Sequence, residues 1–418
     1  MKVLWITNVP LPAACARIGI STPVVGGWLF AGAQALCEAS TVQLGLACLY
    51  DGDDLVSFED AGCQYYLVPR SKTKGYDVAL EQKWRDVHNE FMPDIVHLHG
   101  TEYSHGLAYL RGVENANVIV SVQGLVSVYS KYYFGGIDAL TVLKYVTLRD
   151  ILRFDSLFQQ RRNMRLRGQY ELECLKRVRN VLGRTRWDEA HVRAINSEAV
   201  YHHCGETLRK QFYVNRWRGW RGEFPVIFLS QAHYPIKGLH KVLEALHLIR
   251  KDLPNVRLQI AGNDFFSISR LKLPGYGAYI RQLLSEYCLA DCVEFLGVLT
   301  EEQMVDAYCR ASLFLCPSII ENSPNSIGEA QLLGVPCVSA NVGGVMDMIN
   351  DGITGMLYRF DEPEMLAYAV VKVLSDRKLS ESLSESGRVA ANARHNPLTN
   401  VNELIDIYGR VAGANDAN

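Results

Sequence analysis

A chain of 418 residues, 48% hydrophobic and 21% charged, exceeds one ordinary domain and can bury two cores. Its formal net charge of −2 excludes the broad basic field of a nucleic-acid binder, and no run of about 18 apolar residues is present to span a membrane. Its 11 cysteines lack paired metal spacing, and Cys288-x-x-x-Cys292 has no companion pair or nearby histidines, so no zinc is expected and a reducing cytoplasm suits them.

Residues 3–6 read as a first parallel strand, too short and too soon broken by Pro10 and Pro12 for a signal peptide. A loop rich in Pro and Gly follows, and Gly26-Gly27-Trp28 opens an amphipathic helix running to Leu36. Strand, glycine turn and helix in that order make a phosphate-approach site, although a plain turn fits the same residues. Strand-like runs at 42–49, 65–68, 95–98 and 118–122, with a helical pattern over 77–91, argue for an open parallel sheet. Two strand ends carry polar groups where such sheets bind ligands: His97-Leu98-His99-Gly100-Thr101-Glu102, with His105 beyond, and Ser121-Val122-Gln123-Gly124.

Residues 131–186 hold thirteen Lys or Arg against five Asp or Glu, a local +8, while the rest of the chain carries −10. Leu140, Leu143, Val146, Leu148, Ile151, Leu152, Leu157 and Phe158 recur at helical spacing, and Arg161, Arg162, Arg165 and Arg167 follow. Two readings fit: an amphipathic insert facing an anionic membrane, or a helical hairpin with a solvated basic face.

The pattern restarts near residues 221–225. Val226–Leu229 is a strand, and Gln231, His233 and Lys237-Gly238 lead into a helix with Leu239, Val242, Leu243, Leu246 and Ile249 on one face. Runs 258–262 and 293–297 end further strands at Gly262 and Gly297. The apolar run Leu313–Cys316 closes at Pro317-Ser318. Asn322 or Ser323 then caps a helix whose first residue is Pro324, leaving the amides of Asn325, Ser326 and Ile327 to face an anion such as a diphosphate. Glu329, further along that helix, suits a ribose diol, and Glu321 lies on the other side of the phosphates. A capped core helix with two solvated acids is the competing reading.

Residues 311–358 resemble the retaining family-4 glycosyltransferases, a group that includes sucrose, capsular and exopolysaccharide sugar transferases. That pattern is a strand ending Pro-Ser, Glu, seven residues, Glu-Ala, Gly-Val-Pro-Val and a Gly-Gly turn. Here it reads Pro317-Ser318, Glu321, Glu329-Ala330, Gly334-Val335-Pro336-Cys337-Val338 and Gly343-Gly344. The resemblance is close over most of the C-terminal half and looser before it. It implies an α/β fold of two facing Rossmann-like domains (GT-B), over 1–222 with the basic insert and 223–395, and a closing helix within 396–418 that crosses back to the first.

The resemblance also places the donor on Gly26, Gly27, Lys237, Gly262, Val298, Asn325, Ser326, Ile327 and Glu329, with Gln231 and His233 in the region where relatives carry an arginine. Gln123 stands where many relatives have a histidine near the reacting sugar, so His99 and Glu102 become substitutes, although a satisfied structural histidine fits equally well. Glu321, His99 and Gln123 are the catalytic candidates, and Glu102 and Gly124 the acceptor-side ones. Asp347 replaces a common Glu. The implied activity is retaining transfer from a UDP- or GDP-sugar to a glycan or lipid-linked acceptor, cytoplasmic or peripheral on the inner membrane face, with no metal or other cofactor. A nucleotide-sugar 2-epimerase or a non-catalytic binding partner on the same fold are the alternatives.

Overall fold

Short runs rich in Val, Leu and Ile form the strands of two separate sheets, as expected of segments buried on both faces. The computed structural model describes residues 1–21, 26–39, 41–70, 75–220, 222–265 and 267–413. Arg221 in the expected boundary, part of the loop before Gly26, and residues 414–418 of the expected tail lie outside the described residues.

The first unit comprises Met1–Val128, Arg165–Leu208 and His395–Asn418. Its strands are β1 (Lys2–Thr7), β2 (Gln43–Tyr50), β3 (Val56–Asp60), β4 (Cys63–Pro69), β5 (Ile95–His99), β6 (Val118–Ser121), β7 (Asn180–Gly183) and β8 (Val200–His203). They lie in the order β3-β4-β2-β1-β5-β6-β7-β8, parallel except for the edge pair β3–β4. Helix Ala79–Phe91 places Leu80, Trp84, Val87 and Phe91 three or four residues apart, and they cover one sheet face against Leu4, Ile6, Val96 and Leu98. Helices Gly27–Glu38 and Pro397–Gly413 cover the other, burying Leu29, Leu36, Ile407 and Tyr408 against Trp5. Trp5 Nε1 donates to Tyr408 Oη at 2.8 Å, which fixes the C-terminal helix to the first strand.

The second unit comprises Tyr129–Met164 and Arg209–Arg394. Its strands are β9 (Val226–Leu229), β10 (Arg257–Ala261), β11 (Val293–Gly297), β12 (Leu313–Cys316), β13 (Cys337–Ala340) and β14 (Met356–Tyr358). All pair in parallel, in the order β11-β10-β9-β12-β13-β14. Helix Leu239–Asp252 buries Leu239, Val242, Leu243, Leu246 and Ile249, the face read from the sequence.

This division departs from the expected boundary at 222. Residues 129–164 group with the second unit because the buried Asp150 carboxylate accepts the Gly275 amide at 2.9 Å and His240 Nε2 meets the Gly135 carbonyl at 2.8 Å. The expected insert over 131–186 is also not purely helical, since β7 lies inside it, paired between β6 and β8. Its helices are Ala139–Lys144, Leu148–Arg153 and Leu157–Arg177. Asp138 caps the first, and a Thr147/Asp150 capping box starts the second. No described helix is long and apolar enough to cross a membrane.

Candidate active site

In the second unit the carboxyl ends of β9 and β12 bring their following turns together. After β9, Pro235–Lys237 forms one 3₁₀ turn, and Gly238 ends it at φ 73° before the helix Leu239–Asp252 begins. The Ile319 amide donates to the Ile236 carbonyl at 2.7 Å, and any Cβ on Gly238 would run into the Pro317 carbonyl. Glycine is required there for both conformation and closeness. The contact carries Lys237 to Glu321, where the ammonium and carboxylate form a buried ion pair with side chains each 11% exposed. Burial works against the Lys237 charge, but Glu321 and Tyr234 outweigh it and hold its pKa above the usual value. An ammonium has three N–H donors and Glu321 engages one, so Lys237 can still meet phosphate oxygens.

Glu321 is itself gripped from behind. The Gly344 amide donates to its carbonyl at 3.1 Å, and Gly343, at φ 52°, lies so close that a Cβ would collide with the same oxygen. The Gly-Gly turn of the sequence pattern is therefore a clamp on the Glu321 backbone.

The next helix is Asn325–Leu333, with Pro324 at its N-cap and no side-chain cap. This corrects the expectation that Asn322 or Ser323 caps a helix beginning at Pro324. Pro324 adopts an extended ψ of 114°, and Ser323 Oγ turns instead toward Met348 Sδ. The Ile327 amide also differs from expectation, donating to the Pro324 carbonyl at 3.0 Å. Of the three amides expected to face an anion, those of Asn325 and Ser326 remain candidates. Asn325 adds a side-chain oxygen that is buried without a partner, and Tyr308 Oη fixes the turn by donating to the Ser326 carbonyl at 3.2 Å.

Glu329 is buried and bound to Arg209, whose Nε and Nη2 both reach Oε1, at 2.8 and 2.7 Å. The second oxygen, Oε2, remains for a ligand, so a diol would share one carboxylate oxygen rather than take two. Burial raises the Glu329 pKa to about 7 and Arg209 opposes the rise. For an acid with a raised pKa the protonated form favours the fold, a contribution complete at acid pH and lost as pH climbs through about 7. The carboxylate needed for a hydroxyl pair forms over the same interval. Nucleotide affinity, followed by calorimetry, is expected to increase as pH rises through about 7, and Glu329→Gln is expected to flatten that dependence.

The remaining donor-side candidates lie on other strand ends and turns of the second unit. Gly262, at φ 107°, donates its amide to the Gly297 carbonyl at 2.7 Å, and Val298 next to it is 69% exposed. Gln231 is half-buried, and the His233 pKa is lowered by partial burial of its imidazole and then by Lys237. Asp347 lies in a 3₁₀ turn after Gly344.

In the first unit Gly26, at φ 87°, is the N-cap of Gly27–Glu38, and a Cβ on it would press on Val9. His99 is fully buried, and burial followed by His97 pushes its pKa well below the usual value, so it is a poor proton acceptor. Glu102 is pushed up to about 7 by burial, and Glu171 adds to the shift. Gln123 receives Arg184 Nη2 on its backbone oxygen at 3.1 Å and on Oε1 at 3.3 Å, and Gly124 beside it is buried. Sequence reasoning missed Arg209 and Arg184: each sits in a basic stretch with nothing local to mark it, and only the fold supplies its carboxylate, Glu329 or Glu206. Among the described residues, no group of three or more His, Cys, Asp or Glu is placed to hold a metal.

Residues 216–390 match the family described as Glycosyl transferases group 1. The match contains Lys237, Glu321 and Glu329 and begins just after Arg209. Among curated proteins, the chain is 27% identical over 175 residues to D-inositol 3-phosphate glycosyltransferase of Corynebacterium urealyticum, covering 41% of this chain and 40% of that protein. This chain spans less than half the length of the first curated relatives that it matches. Sucrose-phosphate synthase from Thermosynechococcus elongatus superposes with a TM-score of 0.71 at 18% identity, covering 99% of this chain and 100% of that one. HepE from Anabaena, solved in complex with UDP and glucose, gives 0.68 at 14% identity, covering 98% and 100%. These likenesses bear out the two-domain α/β GT-B fold expected from the sequence.

Proposed function

We propose that this chain is a configuration-retaining glycosyltransferase that moves a sugar from a UDP- or GDP-sugar to a hydroxyl of a glycan or lipid-linked acceptor in cell-surface polysaccharide synthesis. The observation that carries the reading is the buried Lys237–Glu321 pair beside the start of helix Asn325–Leu333, inside the group 1 match. Lys237 and the Asn325 and Ser326 amides take the departing diphosphate, Glu329 Oε2 the ribose, and Glu321 a sugar hydroxyl. The acceptor oxygen bonds to the anomeric carbon as the bond from that carbon to the phosphate oxygen breaks. The leaving phosphate takes the acceptor proton on the same face. Positioning and electrostatics carry the rate, with no covalent carboxylate nucleophile.

A thermal-shift panel of nucleotides and nucleotide-sugars identifies the donor base, because a ligand at 100 times its Kd adds about 2.7 kcal/mol of stability. Turnover with the stabilising donor is expected to survive excess EDTA, since an ammonium and helix-start amides do the work of a divalent cation. Loss of activity that Mg²⁺ or Mn²⁺ restores would overturn metal independence.

The acceptor side includes an anionic inner membrane face. Support comes from Leu140, Leu143, Leu148, Ile151 and Leu152 on two short helices that end in Lys144 and Arg153, and from Phe154 just after the second, all between 58% and 79% exposed. The arginines singled out in the sequence are a weaker candidate for the contact. Arg161 Nε binds the Ser130 carbonyl at 3.2 Å, with its guanidinium over Phe134, and Arg167 stacks over Tyr103. The protein is expected to sediment with anionic liposomes at low salt and to lose that binding with Leu140→Glu plus Ile151→Glu, nucleotide binding being retained. Absence of liposome binding by the unmutated protein at low salt would end the membrane reading.

A further inference from the structure

His97 and His99 stand two residues apart on β5 and are almost equally buried, at 1% and 4% exposure. Only the first is satisfied: His97 Nδ1 meets Tyr408 Oη at 2.6 Å and Nε2 meets Ser121 Oγ at 2.5 Å. The His99 ring stacks 3.9 Å from His97, with Trp5 at 4.2 Å and Trp28 at 5.8 Å, and neither of its nitrogens has a hydrogen-bond partner. A buried imidazole left unpaired on both sides is a cost that packing alone does not explain.

The ring lines a cavity with about 60 Å³ of free space, built within the first unit by β1, β5 and the helices Gly27–Glu38 and Pro397–Gly413. That is room for the hydroxyl-bearing edge of a ring rather than a whole glycan. Glu206 borders the same cavity: its Oε1 pairs with Arg184, and its Oε2 is buried without a partner. The ion pair cancels its own charge. His99 is held neutral by its burial, so it offers one donor and one acceptor. A charged ligand would find no opposite charge here, and an apolar one would leave three polar atoms unpaired. Hydroxyl groups, which donate and accept, satisfy all three, while the indoles suit the C–H face of a ring.

We propose that this cavity is a recognition subsite for the hydroxyl-bearing edge of an uncharged sugar ring, with His99 and Glu206 taking hydroxyls and Trp5 and Trp28 lining the edge's C–H groups. Its role as the place of the acceptor sugar rests on the transferase reading, whereas binding itself is a property of the first unit.

The test is tryptophan emission of the full chain titrated with methyl α-glucoside, methyl α-galactoside and methyl α-mannoside, beside glucuronate as the charged comparator and cyclohexanol as the apolar one. At least one neutral glycoside is expected to bind saturably, about tenfold or more tighter than either comparator. His99→Phe, which keeps the stacking and removes the orphaned nitrogens, is expected to weaken that binding by about tenfold or more while Tm stays level or rises. A structural histidine would lower Tm instead. Glu206→Gln, similar in size, is expected to weaken glycoside binding in the same way. Saturable binding by no neutral glycoside, equal binding of cyclohexanol or glucuronate, or a His99→Phe protein of lower Tm would overturn the subsite. Turnover of the donor is measured separately. Glycoside binding without any turnover would leave the subsite and remove the transferase reading, and turnover without glycoside binding would do the reverse.

Discussion

Lys237→Ala is expected to give the largest loss of any single substitution, in stability and in turnover together. Lys237 and Glu321 are buried against one another, and removing the ammonium strands a carboxylate in a site that water barely reaches. Breaking a buried pair from one side costs about 3–5 kcal/mol, a large share of the roughly 5–15 kcal/mol that holds a domain together. On the proposed reading the leaving diphosphate loses its positive side chain as well, for which a fall of about 10²–10³ in kcat is expected. Denaturant titration and steady-state assay separate the two effects. In the double variant Lys237→Met with Glu321→Leu the buried charges disappear together, so most of the stability is expected to return while turnover stays lost. Near-normal stability and activity in Lys237→Ala would show the pair to be peripheral.

Gly343→Ala is expected to come second. At φ 52° an alanine is strained by about 1–3 kcal/mol, and its Cβ meets the Glu321 carbonyl, adding about 1–3 kcal/mol of overpacking or a backbone shift. A displacement of about 1 Å at a residue that positions substrate can cost about 10² in rate, so kcat is expected to fall more than stability alone predicts. Gly352→Ala is the matched control. Gly352 has φ 71°, yet a Cβ there meets nothing within 4 Å, so it is expected to show the strain and keep its turnover. Equal turnover in the two variants would mean that the Gly343–Gly344 clamp does not position Glu321.

Much of this arrangement was legible in the residues because it is locally encoded. Leu313–Cys316 and Val226–Leu229 are continuous apolar runs that end in the expected strands, and Lys237-Gly238 and Glu321 sit at their ends. Gly343 and Gly344 stand at their marked places for a reason visible only in space, the Glu321 carbonyl lying against them. What escaped depended on contacts distant in sequence. Arg209 meets Glu329 across 120 positions, and Asp150 reaches the Gly275 amide across 125, which decides where the insert belongs. Strands β7 and β8 have four residues each; one lies in a basic stretch and the other ends His202-His203, so neither has a run long enough to read. Pro324 shows a finer limit. It sits at the helix start as expected, but as the cap rather than the first residue, and a 3₁₀-type bond back to its carbonyl takes up the Ile327 amide.

The most direct test of the central claim is product analysis after incubation with the stabilising nucleotide-sugar and a panel of glycan and lipid-linked acceptors. The transferase reading predicts free nucleoside diphosphate and a glycoside in equal amounts, with the anomeric configuration of the donor kept in the product by proton NMR. An epimerised sugar nucleotide with no glycoside, or binding without turnover across the whole panel, would contradict it.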